Sequence, residues 1–331
     1  MKKVKFLSFI IVLITLLQSC NNDDSTPVVP VDVYLAGQHI QNGIWVPAFW
    51  KNGQSFNLSD REGNATAMLV TGTDVYFGGS IENNAALWKN GDLIKLTEGS
   101  SMSFVRSIQA SESGIRVLYF SVGAGGDQQF SLYNGTSSIV LEGVANVGYQ
   151  PMAVVGTDVY IIMNEYSYDL GNHYPTVWKN GNKSIINTPG AEAHCIAVSG
   201  TDVYVGGASK NDNNKYVATL WKNGVPVSLS AAGSAIYNIK VEDTNVYALG
   251  YETNTAGTDV AVYWKNEQKF TVSDGTKNTY GYQWEIKNSD IYVVGEFHDG
   301  SWYTGVWKNG SRITPFLGNE ADKYVSGIAI H

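Results

Sequence analysis

Three of the chain's five histidines, His39, His173 and His298, fall in polar segments rich in aromatic residues. Glu165, Asp169, Glu296 and Asp299 stand within a few positions of two of them. A histidine beside a carboxylate can ligate a metal or pass a proton. The sequence holds no His-Glu-x-x-His and no paired cysteines, the patterns that build a metal site from one stretch of chain. No metal and no cofactor is therefore expected, and scattered loop histidines are more often solvated. The aromatic residues form a stronger pattern: Trp45, Tyr166, Tyr168, Tyr174, Tyr216, Tyr251, Trp302 and Tyr303 share the same segments. Rings set among Asn, Asp, Glu and His suit sugars, which offer an apolar face and hydroxyl edges. The same mixture suits a protein surface, where Tyr and Trp are common anchors. Rings that merely cap the ends of packed units are the plain structural alternative.

The elements that carry these segments are repeated. Trp50-Lys51-Asn52-Gly53 recurs unchanged from Trp88, Trp178, Trp221 and Trp307, loses its glycine at Trp264-Lys265-Asn266-Glu267, and keeps only its turn at Leu132-Tyr133-Asn134-Gly135. The copies are spaced 38 to 46 residues apart, so one small unit is stacked seven times. Each unit reads as four short strands. An inner strand carries an apolar pair, such as Ile196/Val198. An Asp-Val-Tyr strand follows (Asp202-Val203-Tyr204), then a polar loop, a third strand ending in Trp, an Asn-Gly hairpin and a short fourth strand. No helical periodicity appears after the leader. The expected fold is all-β, a seven-bladed β-propeller of four-stranded antiparallel blades. Residues 324–331 read as a first strand without a second, and the chain after Asp32 begins with a second strand. The ring is therefore expected to close by pairing the C-terminal strand into the N-terminal blade, hiding both edges.

The aspartates at the turns are expected to cap local backbone amides rather than bind calcium. Cys195, in the inner strand His194-Cys195-Ile196, reads as a small buried hydrophobe without a disulfide partner. Gln109, Lys240 and Glu285 alternate with the apolar pairs, which places them at the edge of a central channel, with Lys240 and Glu285 in reach of an ion pair. Gly123-Ala124-Gly125-Gly126-Asp127 is followed by no helix, so it is a loop and not a phosphate cradle.

The 331 residues carry a net charge of −8. Loss of Lys2, Lys3 and Lys5 with a leader takes 22 basic residues to 19 against 30 acidic ones. That balance excludes a nucleic-acid partner and direct attraction to anionic lipid. The leader itself has a basic start and an apolar stretch at residues 6–17, too short to span a bilayer. It ends at Leu17-Gln18-Ser19-Cys20, which resembles the lipobox of bacterial lipoproteins, with Gln18 departing from the small residue usual there. The resemblance implies cleavage after residue 19, acylation of Cys20 and a membrane link through that lipid alone. Residues 20–31 are a polar, proline-bearing tether, and 32–331 form the propeller. Asp23-Asp24 resembles the acidic export signal of surface lipoproteins of the Bacteroidetes group. That implies display on the cell surface at the outer membrane, the periplasmic face being the alternative. The Asp-Val-Tyr strand, Trp-Lys-Asn-Gly hairpin and Gly-Thr-Asp turn together resemble bacterial secreted or lipid-anchored repeat propellers, a resemblance that implies the fold and no defined activity.

Short uniform turns share one face of such a propeller, and the loops at 38–45, 164–176, 209–216, 251–259 and 296–303 share the other. Tyr149, Tyr237, Tyr280, Tyr282 and Tyr324 enter the inner strands on that variable face. The function expected is a monomeric binding module for a glycan or a protein, not an enzyme. A polysaccharide hydrolase or lyase is the alternative, and a structural subunit of a surface assembly the third.

Overall fold

Two-residue hairpins set the strand boundaries. Asn223 and Gly224 take φ of 50° and 81°, the left-handed pair that a type I′ turn demands and that Asn and Gly reach with least strain. The structure is a computed structural model and describes residues 31–123, 125–230, 233–313 and 323–331. Cys20, the leader and nearly all of the tether lie outside the described residues. Every regular element among the described residues is a β-strand.

Inner strands Gly63–Thr71, Met102–Ser111, Val147–Val155, Glu192–Ser199, Ser234–Glu242 and Thr279–Lys287 each open an antiparallel meander of four strands in sequence order. The meanders of Val147–Val155 and Glu192–Ser199 are also bridged in parallel at Gln150 and Cys195, which joins them into one eight-stranded sheet. The remaining inner strand, Lys323–Ile330, pairs antiparallel with Val33–Gln41, as the sequence predicts. Each inner strand packs on the next in chain order, and Lys323–Ile330 packs on both Thr279–Lys287 and Gly63–Thr71, so the succession is cyclic. All of them line one central cavity of about 460 Å³. Trp50, Trp88, Trp221 and Trp264 are fully buried, each filling the core with a large apolar ring.

The repeated polar residues form a latch within each meander. In five copies Asp Oδ2 meets the hairpin lysine at 2.6–2.7 Å: Asp32–Lys51, Asp74–Lys89, Asp158–Lys179, Asp202–Lys222 and Asp290–Lys308. The hairpin Asn donates to the same aspartate, as Asn223 does to Asp202 Oδ1 at 2.8 Å, and accepts from the backbone N–H of Val203 at 2.8 Å. Lys222 also lies over the Tyr204 ring at 5.4 Å. The backbone cap is thus the asparagine, and the aspartate serves the lysine, which corrects the role expected for the turn aspartates. Asn245 replaces the aspartate in one copy and still accepts from Asn266 at 2.8 Å.

Candidate functional site

A β-bulge interrupts the start of the inner strands. Register skips one residue at Thr66, Arg106, His194, Tyr237, Tyr282 and Ser326, and is irregular over residues 148–151. A bulge re-aims the extra side chain out of the pleat. Glycines on the second strand admit it: a Cβ on Gly207 would lie 1.9 Å from the Glu192 carbonyl oxygen, and Gly37, Gly79, Gly250 and Gly295 are equally tight against their inner strands.

The bulged side chains hand hydrogen bonds from one sheet to the next. Ser326 Oγ donates to Ala65 O at 2.6 Å, Thr66 Oγ1 to Val105 O at 2.6 Å, and Arg106 Nη2 to Gly148 O at 2.6 Å. His194 Nδ1 lies 2.8 Å from Ile236 O. A carbonyl only accepts, so Nδ1 carries the proton there, and Nε2 faces Glu192 Oε2 at 3.6 Å. Three of the four acceptors immediately precede another bulged residue, and Gly148 precedes Tyr149, so each sheet helps to set the next sheet's side chain.

Beyond His194 the succession becomes aromatic. Tyr237 stacks on His194 at 5.4 Å and meets Tyr149, Tyr251 and Tyr282 at 5.3, 5.8 and 5.4 Å. Tyr280 continues it, 5.0 Å from Tyr251 and 5.6 Å from Trp302, on which His298 packs at 5.2 Å. Burial pushes the phenols of Tyr237, Tyr280 and Tyr282 well above the ordinary tyrosine range, so they remain neutral donors. Tyr280 donates to Asp259 at 2.5 Å, Tyr282 to Glu296 at 3.4 Å and Tyr216 to Glu192 at 3.2 Å.

Two carboxylates stand in opposite environments here. The His194 imidazole 3.6 Å away, reinforced by the hydrogen bond from Tyr216, holds Glu192 below the usual glutamate value. Burial raises Glu296 above it. A pocket of about 760 Å³ opens beside the mouth, bordered by Arg106, Tyr149, His173, Glu192, His194, Lys210 and Tyr216. Its size suits a small ligand or a few sugar units.

The residues singled out in the sequence divide. Tyr251, Trp302 and His298 belong to the aromatic belt, and His173 and Tyr216 border the pocket. Tyr166 and Tyr168 form a separate cluster with His173, Tyr168 being 91% exposed. Trp45 is exposed, and His39 hydrogen-bonds Asn57 at 2.8 Å, 6.4 Å from the Trp50 ring. Two expectations are corrected. Tyr174 is buried at 4% exposure, and Tyr303 stacks on Phe297 at 5.6 Å against the core, so both rings pack the fold. Lys240 and Glu285 do form an ion pair, at 2.6 Å in the central cavity, and Cys195 is fully buried. No group of three potential metal ligands occurs among the described residues.

Sequence reading missed Arg106, Glu192 and His194 as members of one site. A signal was present: the residue two places before the apolar pair of each inner strand is Thr66, Arg106, Gln150, His194, Tyr237, Tyr282 or Ser326. That column should be apolar if the strands alternate cleanly, and it is polar or Tyr in every copy.

No family model matches the chain, and no curated protein matches it. Among solved structures it is similar to the β-propeller domain of the Trilobed protease from Pyrococcus furiosus, with a TM-score of 0.57 and 12% identity over 88% of this chain and 95% of that one. It is also similar to a puromycin-hydrolyzing peptidase from Mycobacterium tuberculosis, with a TM-score of 0.58 and 9% identity over 84% of this chain and 52% of that one. An Aleuria aurantia lectin is matched more loosely, with a TM-score of 0.40 and 12% identity over 80% of this chain and 94% of that one. At these identities the first two likenesses concern fold, and the fold is that of a β-propeller.

Proposed function

We propose that the chain is a seven-bladed propeller, anchored by a lipid on Cys20 and displayed at the outer membrane, whose central mouth binds a glycan. The blade count takes the eight-stranded sheet as two blades bridged at Gln150 and Cys195. It is supported by the seven inner strands that share the central cavity. One observation carries the binding reading. The bulged residues Arg106, His194, Tyr237 and Tyr282 converge with Tyr149, Tyr251 and Tyr280 on a single mouth. Neutral tyrosines beside carboxylates and a guanidinium give the stacked faces and directional hydrogen bonds that sugar rings require.

Binding of the purified protein to a glycan array tests this. Tyr149→Ala and Tyr237→Ala should abolish the signal, while Trp45→Ala and Tyr168→Ala should leave it intact. The reverse result would move the site to the outer loops. A co-purifying protein with no glycan signal would make the ligand a protein. Loss of fatty-acid labelling in Cys20→Ala tests the anchor, and protease shaving of intact cells separates outward from periplasmic display.

A polysaccharide hydrolase or lyase is the second reading, favoured by the opposed environments of Glu192 and Glu296, since two carboxylates held apart in pKa can divide the acid and base roles that glycoside cleavage needs. Release of shortened oligosaccharide, lost in Glu192→Gln and in Glu296→Gln, would establish it.

A further inference from the structure

Arg106 is a cation of the mouth that meets no carboxylate of the described residues. Among the described residues no Asp or Glu oxygen lies within 4.0 Å of its guanidinium, whereas Lys240 in the same cavity is paired with Glu285. Nη2 is committed to Gly148 O. Nε is buried without an acceptor, and Nη1 is neither hydrogen-bonded nor sealed from the cavity. The Phe104 ring lies 5.8 Å from the guanidinium carbon. Burial lowers the arginine below its ordinary pKa, yet arginine keeps its charge at any physiological pH. A largely desolvated cation without a counter-charge is unfavourable as it stands, and an anion delivered by a ligand relieves it.

The surroundings narrow the anion. Arg106 and Tyr149 border both the central cavity and the larger pocket. That pocket also holds Lys210, while its acid, Glu192, is occupied by Tyr216 and His194. A chain of net charge −8 therefore presents a cationic recess at this place. Tyr149 and Tyr216 are 58% and 38% exposed on the same rim, and Lys210 lies over the Tyr216 ring at 5.4 Å, so a pyranose has the Tyr149 ring and the uncovered side of Tyr216 to stack on, with a second cation beside it.

We infer that the ligand is an acidic oligosaccharide, a chain of uronic acid residues, with one carboxylate seated on Arg106 and sugar faces laid on Tyr149 and Tyr216. The inference rests on the glycan-binding reading of the same mouth and names its substrate class. A planar carboxylate matches the guanidinium, and each uronic acid residue carries one beside an apolar ring face.

Calorimetric titration of the purified full chain with oligogalacturonate, oligomannuronate and oligoglucuronate, each beside its carboxyl-reduced neutral counterpart, tests it. One acidic series should bind, and reducing its carboxyl groups should weaken binding by at least ~30-fold. Affinity should fall with added salt. Arg106→Gln should weaken binding of the acidic oligomer to the same degree and that of the neutral one far less, by no more than a few-fold. Should Arg106→Gln fail to fold, through loss of its bond to Gly148, the reduced oligomers decide the matter with the unaltered protein. Neutral oligomers that bind as tightly as acidic ones, or glycan-array hits confined to neutral sugars, would overturn the inference and leave glycan binding standing. Absence of binding to any oligosaccharide, acidic or neutral, would overturn both.

Discussion

Lys240 Nζ and Glu285 Oε2 meet at 2.6 Å, joining two adjacent inner strands inside the central cavity. Both side chains are partly shielded, with exposures of 24% and 30%. Removing one partner leaves a charge with reduced solvation, whereas removing both leaves none. Lys240→Met alone should lower stability by about 1–2 kcal/mol, and Lys240→Met/Glu285→Met should recover most of the loss. Thermal unfolding of the two single variants and the double variant checks this. A double variant as unstable as the sum of the singles would show that the pair is not coupled.

Glu267 occupies the hairpin position that glycine holds in the intact copies, and it takes φ of 70°. A side chain with a Cβ is strained in this left-handed region, and glycine is not. Glu267→Gly should therefore stabilise the protein by roughly 0.5–1 kcal/mol, although it deletes a side chain. Denaturant titration gives the sign directly, and a loss of stability would mean that Glu267 makes a compensating contact.

Gly207 lies where a Cβ would be 1.9 Å from the Glu192 carbonyl oxygen, across from the bulge that carries His194. Gly207→Ala must push the two strands apart, at a cost of about 1–3 kcal/mol or more. It should also misplace His194 and weaken ligand binding, so melting temperature and affinity should fall together. Unchanged affinity in a folded Gly207→Ala variant would detach the bulge from the site.

Glu296 titrates near 4.5 when free, and burial raises it in the folded protein. The fold thus favours the protonated acid. Its contribution is fully present below pH 4.5 and is lost as pH rises through the raised folded value. Glu296→Gln, which keeps an acceptor for Tyr282, should raise the melting temperature at pH 7 and make little difference at pH 4. An equal shift at both pH values would rule out ionisation as the cause.

The architecture was legible because it rests on repeated local chemistry. Asn-Gly turns, the Asp-Val-Tyr strand and the buried tryptophans each recur, so a wrong assignment in one copy is corrected by the others. Pairing of Lys323–Ile330 with Val33–Gln41 followed from the same bookkeeping. The site was harder to read because bulges reverse the side-chain alternation on which strand reading depends. Arg106 sits in phase with Ile108 and Ala110 and would point with them in an unbroken strand; one skipped residue turns it to the mouth. Tyr174 and Tyr303 misled for the opposite reason. A ring near a variable loop looks displayed, yet both pack inward.

Val33–Gln41 pairs on one edge with Ile44–Lys51, its neighbour in the chain, and on the other with Lys323–Ile330, from the far end of the described chain. During synthesis the first sheet must therefore wait with one edge bare until that distant segment emerges. Circularisation is a late event that bears nearly the largest loop-closure entropy the polypeptide allows. An unfinished chain can assemble its intervening blades and still lack a barrier against edge-to-edge association, which makes arrested or clipped forms the species most prone to aggregate.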